Sequence, residues 1–510
     1  MMRIMLAILA LAALVAATAE GEASHADDVE ELVVWVIWRD RGLEAAFRRF
    51  EIEYPAYRII GGYHTGVTGT GQQKLLTAIA GNSPPDVLVF DRFSVGEWAV
   101  RRALEPLVAR VKQSSEIEAA ADKALAALRD GDARDARVAL EEVRAYFAVF
   151  PGSYVLLQTE ALLRRLDAAV PAEAIPLAEE LRALCDGIHE EEHYVACWQE
   201  ASYGEGDDRD VYAIPMNADD RALYYNEDIL EAEGFVDEEG RPRPPRDWDE
   251  LKDYAVRLTK YDAQGNITRL GFAPQYGNSW LYLYGWQNGG MFLSNDGRTC
   301  TLDEPAIVEA LEYTLDVYEA LGGFEKVDVF QSTFQAGELD PFLSGRVVMK
   351  IDGDWFLTGL VDLAPNLRFG VAAAPSPKGR PAITWSGGFS WAIPVGSKHP
   401  EAAFELVRFL QTERMWRYQA EVNSRFYRSR GRAYVPIMSP MPAINDWYHR
   451  ELIANNSDLS DRVKRYYPFF AELMNVSFYR PVTAVGTLLW DEHARAAQVE
   501  IAPREERGHV

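Results

Sequence analysis

Cysteine is scarce in this sequence, and its scarcity argues against two classes of site. Only Cys185, Cys197 and Cys300 occur among 510 residues, too few for a scaffold framed by disulfides. An oxidising compartment permits a Cys185–Cys197 bridge, which leaves Cys300 unpaired. His189 and His193 lie between the first two cysteines, but side chains four residues apart drift around a helix, so two or three of these four can ligate a metal and not all four. The sequence predicts no metal site and no cofactor.

Positive charge is also in short supply. The chain has 52 Lys and Arg against 78 Asp and Glu, a formal net charge of -26. This balance argues against nucleic acid and against an anionic membrane face as partners. The eight histidines form no metalloprotease pattern, and no Gly-x-Ser-x-Gly nucleophile elbow occurs. We therefore expect a protein that is not an enzyme, with a glycoside-hydrolysing carboxylate pair as the catalytic alternative.

Only one apolar run approaches the length of a membrane span. Residues 4–17 follow Arg3 and precede small residues, which is the pattern of a signal peptide over 1–26, with exits at 17–19 or 24–26. A membrane anchor is the alternative, although the run is short for spanning. No cysteine follows the run, so a lipoprotein anchor is not expected. The sequence predicts a soluble mature protein in the periplasm.

The order of elements at the start predicts an α/β class. The apolar run 32–38 is typical of a buried parallel strand. A helix with one apolar face follows, and 57–63 is the next strand, which together make a right-handed crossover unit. Ligands meet such sheets at the carboxyl ends of strands, so Trp38, Arg39 and Asp40 are predicted to line a cleft.

Two further segments of the first half carry polar groups suited to a ligand. The glycine-rich loop 65–71 lacks the ending of a P-loop, so its hydroxyls, Thr68 among them, are predicted either to meet a ligand or only to cap the helix that follows. The strand 86–90 ends in Asp91 and Arg92. A carboxylate accepts two hydroxyl hydrogen bonds, and an arginine fork supplies the matching donors.

The stretch 211–230 is the one around which the chain is organised. Two short apolar strands enclose a polar patch that contains Asp219 and Arg221. An apolar strand that opens to present a carboxylate and a guanidinium is typical of a cleft, and an ordinary solvated hairpin is the alternative.

The second half adds aromatic and glycine-rich candidates. Trp280 and Trp286 belong to an aromatic cluster beside polar loops, and such rings either stack on the C–H face of a sugar or pack as plain core. Gly387 and Gly388 precede Phe389 within a predicted strand, which indicates a close backbone approach by a ligand.

These motifs, taken in order, resemble those of the extracellular solute-binding proteins of ABC importers, in the large carbohydrate-type family. The resemblance covers about 27–113 and 211–495. It implies that the strand-end pair Asp91 and Arg92 grips sugar hydroxyls. It also implies that Asp352, Asp354 and Trp355 contact the ligand, with the indole stacked on it.

The resemblance implies a two-lobe periplasmic-binding-protein fold whose lobes close on a sugar or short oligosaccharide and deliver it to membrane permease subunits. A ligand-sensing protein that feeds a receptor and a secreted carbohydrate enzyme are the alternatives. Sugars, polyols and sugar phosphates remain open as ligands. The expected crossovers are strands near 213–216, 348–352 and 412–416.

Residues 114–205 depart from the family and are predicted to be an all-α insertion. Four helical runs, near 117–129, 133–150, 155–169 and 175–189, look faintly like tetratricopeptide hairpins. Its surface is acidic, since 114–210 hold 22 acidic and 9 basic residues, and this face is either solvated or a docking surface for a protein partner. We expect the insertion to be dispensable for ligand binding. The predicted map is 1–26 signal peptide, 27–113 and 350–412 lobe 1, 114–205 insertion, and 213–349 and 413–503 lobe 2.

Overall fold

The computed structural model describes residues 29–63, 70–167, 171–294, 296–334 and 339–501. Its helices are Arg41–Glu53, Thr70–Ala80, Val95–Val100, Val108–Arg129, Ala133–Phe147, Tyr154–Asp167, Pro171–Leu184, Val195–Glu200, Glu227–Ala232, Trp248–Leu258, Leu281–Gln287, Pro305–Ala320, Phe324–Gln331, Asp354–Leu363, Pro400–Gln411, Glu413–Arg428, Pro442–Tyr448, Asp461–Leu473 and Gly486–Ile501. Its strands are Glu30–Val36, Tyr57–Tyr63, Val87–Asp91, Ser202–Tyr203, Asp210–Val211, Ile214–Pro215, Arg221–Asn226, Lys260–Tyr261, Ile267–Arg269, Met349–Gly353, Phe369–Ala373, Thr384–Ser386, Phe389–Ala392 and Ser477–Tyr479. The predicted order strand, helix, strand over the first lobe is confirmed.

The described chain divides into two compact units. One contains residues up to 34, 47–62 and 117–185, and the other contains 35–46, 63–116 and 186 onward. The helical unit therefore ends at Cys185, and residues 186–205 lie in the other unit. The predicted insertion boundary of 205 falls 20 residues later than this division.

The first unit is built on helices whose apolar faces are fully buried. In the helix Ala133–Phe147 the apolar residues of one face have no solvent exposure, namely Ala136, Leu140, Val143 and Phe147. Asp132 caps this helix by accepting two backbone N–H groups, each at 3.0 Å. The helices do not complete a core alone, because the ring of Phe150 packs edge-on against Tyr54 with centroids 5.9 Å apart. Residues 47–62 and the helical segment share one core.

The second unit contains the strands that the sequence linked to a cleft. Arg221–Asn226 is the centre of a three-stranded antiparallel sheet, flanked by Met349–Gly353 and Phe369–Ala373. The strand Phe389–Ala392 pairs antiparallel with both Val87–Asp91 and Ile214–Pro215. Register then fixes neighbours across the chain, because Gly353 lies opposite Arg221 and Phe389 lies opposite Asp91.

Two predicted strands are wrong. The apolar sequence of 270–274 predicts a strand, but none forms: the N–H of Gly271 donates to the hydroxyl of Thr259 at 2.9 Å and Pro274 has no N–H to donate. The expected crossover at 412–416 is a junction of two helices, Pro400–Gln411 and Glu413–Arg428, in which Thr412 alone is extended.

The structure also gives the arrangement of the cysteines and of the histidines between them. The helix Pro171–Leu184 ends before Cys185, so the two cysteines and two histidines do not lie along one helix. No disulfide joins Cys185 and Cys197, and burial raises the pKa of the Cys197 thiol to about 11. Among the described residues no group of three or more His, Cys, Asp and Glu is placed to hold a metal ion. Within the same residues no helix has the length and apolarity that membrane crossing requires.

Candidate functional site

Arg221 is the first residue of the central strand, and hydrogen bonds and an ion pair hold its backbone and its guanidinium. Its N–H donates to the hydroxyl of Thr384 at 2.9 Å, and that hydroxyl donates back to the carbonyl of Arg221 at 2.8 Å. The guanidinium pairs with Asp219 and donates through Nε to Oδ1 of Asn278 at 2.9 Å. Only 5% of the side chain is exposed, so its charge is matched inside the protein.

Two indole rings cover the same guanidinium. Cζ of Arg221 lies 3.5 Å from the centroid of the Trp385 ring and 5.0 Å from that of Trp355. Such cation–π contacts stabilise both partners when they are shielded from water. Trp385 is buried, whereas Trp355 is half-buried. Trp355 is therefore the more accessible of the two indoles.

The position of Trp355 depends on the glycine two residues earlier. A Cβ on Gly353 would lie 2.0 Å from the ring of Trp355, so the indole lies directly against the backbone of Gly353. The preceding residue, Asp352, pairs with Nζ of Lys350 at 2.8 Å and accepts the N–H of Gly353 at 2.9 Å. The predicted Asp352 and Trp355 thus share one turn at the end of the strand Met349–Gly353.

Asp354 and Asp220 are buried carboxyl groups close to this turn. The N–H of Asp354 donates to the carbonyl of Asp220 at 3.3 Å. Among the described residues neither oxygen of Asp220, nor Oδ1 of Asp354, has a hydrogen-bond partner. Burial, and then neighbouring carboxylates, raises the pKa of both groups well above the usual range. Both side chains are buried, so Asp354 has little surface to offer a ligand.

The close approach predicted at Gly387 and Gly388 is made by the protein itself. A Cβ on Gly387 would meet the carboxylate of Asp219 at 2.9 Å, and one on Gly388 would meet the guanidinium of Arg92 at 2.8 Å. Gly388 also has a φ of 121°, which only glycine adopts without strain. The N–H of Gly387 donates to Oδ1 of Asp219 at 2.8 Å. The glycines allow two side-chain charges to reach the backbone of this turn.

Asp91 and Arg92 enter a buried network of four charges. Arg92, with no exposure, donates through Nε to Glu200 at 3.1 Å and through Nη1 to the carbonyls of Asn217 and Phe389 at 2.6 and 3.1 Å. Arg480 donates to the other oxygen of Glu200 at 2.7 Å and to Asp91 at 2.6 Å. Asp91 is 18% exposed. Of the predicted pair, Asp91 reaches solvent and Arg92 does not.

Trp38, Arg39 and Asp40 follow the first strand and have separate roles. Trp38 is half-buried and lies edge-on to Phe389, with centroids 5.0 Å apart. Arg39 is exposed. Asp40 accepts the N–H of Leu43 at 2.7 Å and Nδ2 of Asn423 at 2.9 Å, and burial raises its pKa above the usual range. Asp40 therefore caps a helix, and Thr68, the remaining candidate here, lies outside the described residues.

The two tryptophans of the aromatic cluster are placed differently. Trp286 is 4% exposed and stacks on Tyr282 with centroids 5.1 Å apart, so it belongs to the core. Trp280 is half-buried and lies edge-on to Trp490 at 5.4 Å. Trp490 in turn stacks on Phe93 at 5.7 Å.

These contacts join into one continuous series of rings and guanidiniums, which we call the aromatic–arginine ladder. Its members, in spatial order, are Trp355, Arg221, Trp385, Arg480, Phe93, Trp490 and Trp280. Four of its five rings, all except Trp385, are half-buried. The ladder brings together parts of the site that are more than two hundred residues apart in sequence.

Sequence reasoning missed Glu200 and Arg480, because their partners are distant in the chain. Glu200 is 108 residues from Arg92 and 280 from Arg480. No local pattern identifies such a residue. Trp385 and Phe93 stand beside predicted site residues, and that proximity was the only available signal.

The comparisons with solved structures define the class of fold. The structure of CpMnBP1 with mannobiose bound has a TM-score of 0.62 at 18% identity, over 92% of this chain and 95% of that chain. The ABC substrate-binding protein Lmo0181 from Listeria monocytogenes, in complex with cycloalternan, gives 0.61 at 15%, over 94% and 96%. Maltose-bound MalE3 of T. maritima gives 0.56 at 19%, over 92% and 94%. The chain has the two-lobe periplasmic-binding-protein fold, which confirms the predicted fold class.

The family comparison is more specific. Residues 188–415 match the model of the bacterial extracellular solute-binding protein family. Over this stretch the match agrees with the family predicted from the sequence. The family is one of binding proteins and not of enzymes.

Two relatives match part of the chain. A binding protein of Brucella abortus (strain 2308) is 27% identical over 253 residues, 50% of this chain and 56% of that protein. An ABC transporter-binding protein of Deinococcus radiodurans is 26% identical over 212 residues, 39% and 47%. The chain spans about half the length of these relatives.

Proposed function

We propose that the protein is an exported solute-binding protein that captures a sugar or short oligosaccharide and delivers it to the permease of an ABC importer. The observation that carries this proposal is the aromatic–arginine ladder. Its half-buried rings offer apolar faces, and the carboxylates of Asp91 and Asp352 lie beside them as acceptors for hydroxyl groups. A pyranose needs the same combination, since its C–H face is apolar and its rim is polar.

The ligands of the similar structures support a carbohydrate. Mannobiose, cycloalternan and maltose are bound by the three proteins named above. The direct contacts proposed here are those of Asp352 and of the half-buried candidates Trp38, Asp91, Trp280, Trp355 and Phe389, with Arg221 orienting Trp355. Asp40, Arg92, Asp219, Asp354, Gly387 and Gly388 are proposed to hold the surrounding backbone and charges in place.

We propose a hinge mechanism for capture. In this proposal, the strands Ile214–Pro215 and Met349–Gly353 link the lobes predicted at 27–113 with 350–412 and at 213–349 with 413–503. A ligand that contacts both lobes favours the closed form by its differential affinity. Binding and release, without covalent chemistry, are the whole proposed activity.

The proposed location follows from the family and from the first residues. Export through the signal peptide at 1–26, which lies outside the described residues, would place the mature protein in the periplasm without a lipoprotein cysteine. The proposed partners are membrane permease subunits. The acidic outer face of the helical unit remains a proposed docking surface for a protein partner.

A carbohydrate panel tests the proposal. Purified protein would be heated with mannobiose, mannotriose, maltose and cycloalternan in separate samples, since a ligand that binds only the folded form raises Tm. At least one sugar is expected to raise Tm in a concentration-dependent way. No shift with any of them at millimolar concentration would contradict a carbohydrate ligand. Release of monosaccharide during incubation would instead indicate an enzyme.

A further inference from the structure

Glu200 occupies the centre of the buried charge network. Its side chain has no exposure, and its two oxygens serve different guanidiniums: Oε2 accepts Nε of Arg92 at 3.1 Å and Oε1 accepts Nε of Arg480 at 2.7 Å. Glu200 is the last residue of the helix Val195–Glu200. The helix thus delivers a single carboxylate between two buried cations, each of which needs a counter-charge to remain there.

Both arginines also contact residues of the proposed ligand-binding surface. Arg480 continues to the half-buried Asp91 and lies between the rings of Phe93 and Trp385, at 5.1 and 5.5 Å from their centroids. It is therefore a member of the ladder.

Arg92 continues to the turn that precedes Phe389. It donates to the carbonyls of Gly387 and Phe389, and its own N–H donates to the carbonyl of Gly388 at 3.1 Å. One carboxylate thus stabilises two parts of the surface that belong to different segments of the chain.

We propose that Glu200 is a positioning residue for ligand binding: it sets Asp91, the middle of the aromatic–arginine ladder and the turn 387–389 without touching the ligand. This inference rests on the proposed function. Without the carboxylate, the two guanidiniums lose the counter-charge between them; Arg92 keeps Asp219 nearby and Arg480 keeps Asp91, so Arg480 either draws Asp91 inward or leaves the ladder. The binding surface would lose its geometry before the protein loses its fold.

The chain offers a matched control in Glu405. Its carboxylate is also fully buried, and it pairs with Arg408 through two hydrogen bonds of 2.9 and 2.6 Å. Glu405 lies on the helix Pro400–Gln411, and its partner Arg408 is not a member of the ladder. Glu405→Gln therefore imposes a similar loss of buried charge on a different helix.

The experiment compares Glu200→Gln, Glu200→Asp and Glu405→Gln with the unchanged protein. In Glu200→Gln the amide N–H₂ faces a guanidinium, and both groups are hydrogen-bond donors. Glu200→Asp keeps the negative charge on a side chain that is shorter by one methylene group. Backbone hydrogen exchange is measured without ligand in peptides covering 91–93 and 387–389. Affinity is measured by calorimetry for whichever of mannobiose, mannotriose, maltose and cycloalternan binds the unchanged protein, with the folded fraction of each variant determined by circular dichroism.

For Glu200→Gln we expect exchange in both peptides to rise about tenfold or more and affinity to fall about tenfold or more. Glu200→Asp should lie between this variant and the unchanged protein. Glu405→Gln should lower Tm but leave hydrogen exchange in both peptides and sugar affinity within about threefold of the values for the unchanged protein. Equal effects from Glu200→Gln and Glu405→Gln, or unchanged affinity in folded Glu200→Gln, would overturn the inference. If the unchanged protein binds none of the four sugars of the panel, the proposed function fails, and unchanged exchange in Glu200→Gln would separately overturn the positioning role.

Discussion

The indole of Trp355 occupies the position that Cβ would take if residue 353 were not glycine. A Cβ at Gly353 would be 2.0 Å from Cζ3 of Trp355. The φ of Gly353 is -82°, a value open to every residue. Glycine is therefore required here by the ring and not by the backbone. The backbone of Gly353 therefore fixes the position of the half-buried Trp355 indole.

Gly353→Ala is expected to displace the Trp355 ring and to weaken sugar binding about tenfold or more, because the stacking face moves while the backbone can remain. Calorimetric titration of the folded variant measures the change. Gly359→Ala is the control: it lies in the next helix, a Cβ there meets no atom within 4 Å, and alanine favours helix by about 1 kcal/mol. Unchanged affinity in Gly353→Ala, with the control also unchanged, would show that the ring does not bind the ligand.

His493 predicts a loss of stability in mild acid. Its ring is fully buried, stacked on Tyr282 with centroids 4.2 Å apart, and burial lowers its pKa from 6.5 to about 4. Between these pH values the unfolded chain binds a proton that the folded chain does not. The free energy of unfolding therefore falls as pH drops from 6.5 to 4, by about 3 kcal/mol at most from this group.

Urea titrations between pH 7 and pH 4 compare His493→Phe with the unchanged protein. The variant is expected to lose less stability on acidification, because it has no imidazole to protonate. His193, whose pKa burial also lowers to about 4, should give the same difference in His193→Phe. An acid dependence in His493→Phe identical to that of the unchanged protein would contradict a buried neutral histidine.

Asp220 predicts the opposite pH dependence. Burial raises its folded-state pKa well above the usual range, so the folded chain keeps a proton that the unfolded chain releases above about pH 4. The stability contributed by this group is fully present below that pH and is lost as pH rises through the folded-state pKa. Asp220→Asn should flatten this fall.

The measurement is the free energy of unfolding of Asp220→Asn at several pH values from 4 to 8, relative to the unchanged protein. The free energy of unfolding of Asp220→Asn, relative to that of the unchanged protein, is expected to increase as pH rises. Asp458→Asn, at an exposed aspartate, controls for the loss of one carboxylate and should show no such trend. A trend shared by both variants would refute the assignment to Asp220.

Closure on the ligand is a prediction of the hinge proposal. Small-angle scattering with saturating sugar should give a smaller radius of gyration than scattering without it, because the ligand favours the closed form. An unchanged radius at a concentration that saturates binding by calorimetry would contradict closure while leaving sugar binding intact.

The sequence predicted the positions of the site better than its contacts. Asp91 ends the buried strand Val87–Asp91 and Trp355 follows the buried strand Met349–Gly353, as the sequence predicted, while their contact with a ligand stays a prediction. At Gly387 and Gly388 the sequence indicated a close approach, but not that the approaching groups are Asp219 and Arg92. The identity of a partner across hundreds of residues is a property of the folded chain.

Composition did not distinguish core from surface in the aromatic cluster. Trp280 precedes the helix Leu281–Gln287 and remains half-buried, whereas Trp286 lies within it and is enclosed.

The helical segment gives a similar lesson. Its periodicity was sufficient to predict four helices, but not the packing of Phe150 on Tyr54. Because of that shared core, deleting 114–205 would uncover Tyr54 and also remove Glu200.

The central claim is that a carbohydrate stacks on Trp355. Calorimetry of the unchanged protein, Trp355→Phe and Trp355→Ala with the sugar that raises Tm most tests it directly, at concentrations where each variant is folded by circular dichroism. Loss of the indole should cost about 2–4 kcal/mol of binding free energy in Trp355→Ala, with Trp355→Phe in between. Affinity within threefold of the unchanged protein in folded Trp355→Ala would contradict the account.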